Sequence, residues 1–136
     1  VSIQAQIIEL IDRLRAEHAL SMLMVAHDLA VVRYVSDVVV VLYLGRVMEA
    51  GPADEIYSRP IHPYTRALLS SAPSRTAGTR AARQVLRGEL PSPMRPPSGC
   101  VFRTRCPLAV PACAETVPPL RDVGDGRRIA CSVVAA

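Results

Sequence analysis

The chain has 136 residues, a formal net charge of +4, no Lys and an apolar half, which is material for one modest domain or a piece of one with a small appendage. Its longest apolar run, Val38–Leu44, is far short of a spanning helix, and no charged leader opens it, so a soluble and by default intracellular chain is expected. Residues 1–72 carry six Arg against eight acids and residues 73–136 ten Arg against four; the basic half could attract nucleic acid, but four Tyr and one Phe are poor stacking material, so no nucleic-acid partner is expected.

Ile3, Ile7, Leu10, Ile11 and Leu14 recur at helical spacing. Residues 3–18 are therefore predicted to form an amphipathic helix packed on a sheet, with Ser2 as its N-cap and Glu9–Arg13 as an i, i+4 pair. Leu20–Val25 reads as a short buried strand, and Asp28 as the cap of a helix over Leu29–Val35. A helix followed by an apolar strand is half of a βαβ crossover, which predicts a partly parallel sheet. The strand expected ahead of that helix is missing, so the chain reads as cut from a longer domain.

Val38–Leu44 is β-branched and apolar on both faces and is predicted as an interior strand. Gly45 turns the chain, and Arg46–Ala50 completes a tight hairpin. Gly51-Pro52 breaks it. Pro52 is placed to open a short helix with Asp54 and Glu55 in its first turn, Ile56 and Tyr57 inward, and Pro60 as its end. Pro63–Ser71 is predicted as a further helix with Tyr64, Ala67 and Leu68 on its apolar side. Pro73–Arg80 reads as a loop, and Ala81–Leu86 fits a helical turn or a strand equally. Pro91, Pro93, Pro96 and Pro97 impose an extended path.

Two constellations carry chemistry. The first is His27, at the expected carboxyl end of a strand, where open α/β sheets place their ligands; an idle His after a core strand is the plain alternative. The second is Cys100, Cys106, Cys113 and Cys131, spaced C-x5-C-x6-C-x17-C and confined to the last 37 residues. Clustered Cys in an intracellular chain argue for metal before disulfides. The spacing lacks the tight knuckles of structural zinc and suits an iron–sulfur cluster better, with Arg103 and Arg105 offsetting thiolate charge; zinc and free buried thiols stay open. A small module with few large apolar residues gains its fold from such a metal.

The order of these stretches resembles the C-terminal third of an ABC-transporter ATPase. The matching residues are Met24-Val25-Ala26-His27-Asp28-Leu29, Ser36-Asp37, Tyr43-Leu44-Gly45-Arg46-Val47-Met48-Glu49 and Gly51-Pro52-Ala53-Asp54-Glu55-Ile56-Tyr57. Val1–Gln6 is similar to the stretch after the D-loop of oligopeptide/dipeptide importer ATPases, and Arg59-Pro60-Ile61-His62-Pro63-Tyr64-Thr65-Arg66-Ala67-Leu68-Leu69 resembles their C-terminal hallmark. His62 could be taken for a ligand, but His62-Pro63-Tyr64 reads as structural.

The resemblance implies an α/β fold: the C-terminal fragment of a P-loop ABC ATPase domain over residues 1–72, a Pro/Arg-rich linker over 73–99, and a four-Cys module over 100–136. It implies that His27 is the switch histidine contacting the γ-phosphate of ATP, with Mg and most of the nucleotide held upstream, and that the four Cys bind a [4Fe–4S] cluster. The implied partners are transmembrane permease subunits, a second ATPase domain and, indirectly, a peptide-binding protein, at the cytoplasmic face of the membrane. There is no GxxxxGK[ST], signature motif or Walker B acid, so this stretch alone is expected not to hydrolyse ATP. The contrasting reading is a non-enzymatic metal-binding interaction module.

Overall fold

The computed structural model describes residues 3–71, 86 and 88–134. The expectations for Ser2, for the loop Pro73–Arg80 and for all of Ala81–Leu86 but its last residue lie outside the described residues. The chain forms two compact units, Val1–Asp37 and Val38–Ala136.

The first unit contains helices α1 (Ile3–His18) and α2 (Leu29–Val35), with the predicted bounds. The Asp28 carboxylate caps α2, accepting from the amides of Ala30 at 2.9 Å and Val31 at 3.3 Å. The Arg15 guanidinium donates to the Val35 carbonyl at 2.8 Å and to Asp37 at 3.1 Å, which ties α1 to the carboxyl end of α2. Arg13 pairs with Glu17, at 3.9 Å, rather than with Glu9.

The predicted strand Leu20–Val25 is not a strand. It is irregular, with Leu23 94% and Val25 92% exposed. A strand exists through its ladder, because its N–H and C=O groups point sideways to neighbours. Among the described residues of this unit there is no second strand to supply them. The apolar faces of α1 and of this stretch are correspondingly open: Ile3, Ile7 and Leu20 are all exposed.

The second unit is built on strands β1 (Val38–Tyr43) and β2 (Arg46–Pro52), helices α3 (Ala53–Ser58) and α4 (Pro63–Ser70), and two short strands, β3 (Arg121–Asp122) and β4 (Arg128–Ile129). The sheet order is β1-β2-β4-β3 and every described pairing is antiparallel. The expected parallel component does not occur among the described residues; the architecture is mixed helix and antiparallel sheet. Among the described residues β1 is an edge strand, not an interior one. Val39, Val41 and Tyr43 are buried while Val38, Val40 and Leu42 face outward, so apolarity on both faces overstated its burial.

The hairpin turn uses Leu44 and Gly45, with φ of +47° and +74°, the left-handed pair that matches the twist of the flanking strands. The register slips between Val41, opposite Glu49, and Leu42, opposite Val47, which leaves Met48 as a bulge. Because of it, neighbouring residues Met48 and Glu49 are both buried in an interior strand.

Pro52 caps α3, with Asp54 and Glu55 in its first turn, and Pro63 opens α4. A turn at Ser92–Arg95 interrupts the expected extended proline path, the Arg95 amide reaching the Ser92 carbonyl at 3.1 Å. The Cys-containing segment is a succession of tight turns with one 3₁₀ turn, Pro111–Ala114. Among the described residues no helix is long and apolar enough to cross a membrane.

Candidate functional site

The site grows from Glu49. Its side chain is fully buried in β2, and each carboxylate oxygen accepts one backbone N–H, from Ile61 and from His62, both at 2.9 Å. Hydrogen bonds to a charged acceptor are the strong kind, and burial makes an unmade one costly. The turn between α3 and α4 is thus pinned to the sheet. Arg127 supports it from the other end, its guanidinium donating to the Arg59 carbonyl at 2.7 Å. Gly51 allows Arg127 to lie against β2, since a Cβ there would sit 2.7 Å from the Arg127 Cγ.

His62 comes next and is also buried. Its Nδ1 accepts from the Tyr64 amide at 3.0 Å, so the imidazole is the N-cap of α4. The ring also hydrogen-bonds the backbone of Ala130. With Nδ1 occupied as an acceptor, Nε2 is the ring nitrogen left to donate to that backbone. Burial lowers the His62 pKa to about 4, against the Ala130 bond that raises it, so the ring is neutral near pH 7.

Pro63-Tyr64 then delivers Tyr64 to an aromatic cluster. The Tyr43 and Tyr64 rings lie 4.8 Å apart edge-on, and Phe102 is 5.3 Å from each. Phe102 is completely buried and also meets the His62 ring at 5.9 Å. It stands between Cys100 and Cys106 in the chain, so the cluster seats the first two cysteines on the hairpin.

The remaining two cysteines are brought in by backbone. The Cys100 amide donates to the Cys113 carbonyl at 2.8 Å. Gly99 makes this approach possible: its φ is +63°, and a Cβ there would fall 2.3 Å from the Cys113 oxygen. Cys131 follows β4. The Ala130 amide donates to the Met48 carbonyl at 2.9 Å, and Arg121 Nε donates to the Cys131 carbonyl at 3.2 Å.

All four Cys, free thiols, border one cavity of about 20 Å³ together with His62 and Phe102. Burial raises the Cys100 and Cys106 pKa values, and the neighbouring thiols raise them further. Among the described residues no carboxylate borders the cavity. Arg103 borders it, and Arg105 lines a separate groove beside Tyr43 and Tyr64. Among the described residues no three His, Cys, Asp or Glu side chains are arranged to hold a single metal ion.

His27 lies in the first unit, exposed in a bend directly before the Asp28 cap. The residues that sequence reasoning missed are Glu49 and Phe102. The signal for Phe102 was available, as the chain's one Phe in a segment short of large apolar residues. Glu49 gave none, since its burial depends on the bulge at Met48.

The turn and most of the thiol segment built on it fall within a stretch that matches a family model. Residues 48–113 match the family model described as the oligopeptide/dipeptide transporter, C-terminal region. Over those residues this chain is similar to the C-terminal region of that transporter family. The match runs from the bulge at Met48 through Glu49, His62, Tyr64 and Phe102 to Cys113, and leaves Cys131 beyond its end. A Brucella ovis protein named for peptide import and ATP binding is 58% identical over 96% of the chain and 41% of its own length. A Bacillus subtilis protein named for oligopeptide transport and ATP binding is 50% identical over 96% of the chain and 40% of its own. The oligopeptide transport ATP-binding protein OppF of Escherichia coli is 55% identical over 88% of the chain and 36% of its own. The chain spans about two fifths of the length of these curated relatives.

Proposed function

We propose that this chain is the C-terminal part of the ATP-binding, ATP-hydrolysing subunit of an ABC importer for oligopeptides or dipeptides. The observation that carries the reading is the family match over residues 48–113, extended by relatives of 50–58% identity along 96% of the chain. It favours the ATPase over a free-standing metal-binding module. In the whole subunit, ATP and Mg bind mainly to residues upstream of this region, and the stretch alone is inactive, as it has no phosphate-cradling loop. His27 is the γ-phosphate contact: an imidazole N–H donating to a phosphate oxygen helps stabilise charge and place the attacking water. The subunit works at the cytoplasmic face of the membrane, docked on permease subunits, paired with a second ATPase domain, and supplied by a peptide-binding protein.

Residues 73–99 serve as linker and 100–136 as a metal module. The donor set suits an iron–sulfur cluster: four thiols around one cavity, one flanking Arg, and no competing carboxylate among the described residues. Zinc is the second reading for the same four thiols, since a tetrahedral Cys₄ site uses the same donors. Cys100, Cys106, Cys113 and Cys131 would hold a [4Fe–4S] cluster, which cross-links the turns of the module when bound. The cavity is near the size of one water, so uptake requires the thiols to swing outward.

The test is anaerobic purification of the intact subunit with assay of ATP hydrolysis, iron, sulfide and zinc. About four iron and four sulfide per chain, with ATP turnover, supports the reading in full. One zinc and no sulfide overturns the cluster and leaves the ATPase; no nucleotide turnover with its permease partners overturns the ATPase.

A further inference from the structure

His62 stands at the junction between the sheet and the thiol cavity, and its two ring nitrogens serve different masters. Nδ1 faces its own helix as the N-cap of α4. The ring's other hydrogen bond is to the backbone of Ala130, one residue before Cys131, which leaves Nε2 as its donor. Its backbone amide is fixed by the buried Glu49 at 2.9 Å. The ring itself borders the thiol cavity.

Cys131 is the thiol with the thinnest support. Cys100 and Cys113 are joined by a backbone hydrogen bond, and Cys100 and Cys106 flank the buried Phe102. Cys131 is reached by 17 intervening residues from Cys113 and lies beyond a strand of only two residues. Three groups hold its approach: the Met48 carbonyl, the Arg121 guanidinium and His62. Of these, His62 alone borders the cavity.

From this geometry we infer that His62 is a positioning residue for the thiol site: through Glu49 on one side and the Ala130 backbone on the other, it holds Cys131 in register with the other three cysteines. The metal-site consequence rests on the cluster reading above; the positioning of Cys131 does not. The inference makes Glu49–His62–Ala130 a physical link between the hairpin of the ATPase domain and the fourth thiol.

The two roles of the imidazole can be separated. In His62→Asn the amide oxygen can still cap α4, but the side chain is too short to reach Ala130. In His62→Gln the amide nitrogen can reach Ala130, but the cap is lost. The intact subunit, reduced and stripped of metal, is treated with iodoacetamide, and the alkylation of each cysteine is followed by mass spectrometry. The same proteins are then loaded with iron and sulfide, and cluster loss to a chelator is timed by visible absorbance.

The expected result for His62→Asn is alkylation of Cys131 about tenfold faster, the factor given by loss of one ordinary hydrogen bond, with Cys100 and Cys113 unchanged. His62→Gln keeps Cys131 slow while lowering the melting temperature. Cluster loss is faster in His62→Asn than in His62→Gln. Unchanged Cys131 reactivity in His62→Asn overturns the inference, and so does an equal rise at all four cysteines, which would mark general loosening. If the unaltered subunit takes up neither iron nor zinc, the cluster reading fails, and the alkylation contrast still decides the role of His62.

Discussion

Glu49 and His62, thirteen residues apart, are joined at 2.9 Å by a backbone amide donating into a fully buried carboxylate. The second carboxylate oxygen takes the Ile61 amide at the same distance. Glu49→Ala therefore orphans two buried N–H donors and opens a cavity in β2. The expected loss is about 3–5 kcal/mol, measured by urea unfolding of the intact subunit. Glu49→Gln keeps one acceptor but turns an NH₂ toward the other donor, so it falls between. An alanine variant as stable as the parent would mean that the turn is held by something else.

The burial of His62 predicts an acid-sensitive fold. Its pKa is lowered from 6.5 in the unfolded chain to about 4 in the folded one. Between those values the unfolded chain binds the additional proton, so stability rises with pH across that window. The contribution is complete above about pH 6.5 and is lost as pH falls toward 4, amounting to about 3 kcal/mol at most. The melting temperature of the intact subunit followed from pH 7 to pH 4 reads this. His62→Gln, which has no titrating ring, flattens the part of the fall that belongs to residue 62.

The helices and the hairpin were legible because their causes are local. The bounds of α1 and α2 follow from apolar spacing and the Asp28 cap, and those of α3 and α4 from Pro52 and Pro63. Leu20–Val25 failed because a strand is a relation between segments, and its apolar run carries no information about partners. Glu49 was unreadable for a related reason. Arg46–Ala50 looks like an alternating strand, but the bulge at Met48 breaks the alternation, and β4, some eighty residues later, covers what would have been a surface. The thiols were legible as a group; their seating was not, since it depends on Phe102, on Gly99 and on a histidine that reads only as part of a structural His-Pro-Tyr stretch.

Gly99 gives a direct test of that seating. Gly99→Ala forces a left-handed φ on an ordinary residue and drives a Cβ to 2.3 Å from the Cys113 oxygen. The backbone must part, and the Cys100–Cys113 hydrogen bond goes with it. The expected outcome is loss of metal uptake with Cys100 and Cys113 alkylated together at least tenfold faster, while ATP binding upstream persists. Gly45, also at positive φ but with open space around its Cβ position, costs only about 1 kcal/mol on change to Ala, seen as a small shift in melting temperature.

His27 calls for the opposite pattern. Its side chain is exposed in a bend, so His27→Ala is expected to leave the unfolding midpoint within about 0.5 kcal/mol of the parent. If it contacts the γ-phosphate, ATP hydrolysis by the assembled transporter falls by about 10²–10³-fold, as for loss of one preorganised donor to a developing charge. On that reading nucleotide affinity changes little, because the proposed phosphate-cradling residues are upstream. Turnover within a factor of two of the parent would remove His27 from the catalytic role and leave it as the residue before a helix cap.

Phe102 is the remaining keystone. It is completely buried, touches Tyr43, Tyr64 and His62, and sits between two of the four cysteines. Phe102→Ala removes the ring that joins the hairpin, α4 and the thiol segment, for an expected loss of about 3–5 kcal/mol. Phe102→Leu retains most of the volume and costs less, about 1–2 kcal/mol. The informative comparison is between stability and thiol reactivity across the pair. In Phe102→Leu, Cys100 and Cys106 should be alkylated faster than Cys131, because the aromatic cluster seats the first two thiols while His62 still holds the approach to the fourth. Equal reactivity of the three would mean that the module moves as one body on the sheet.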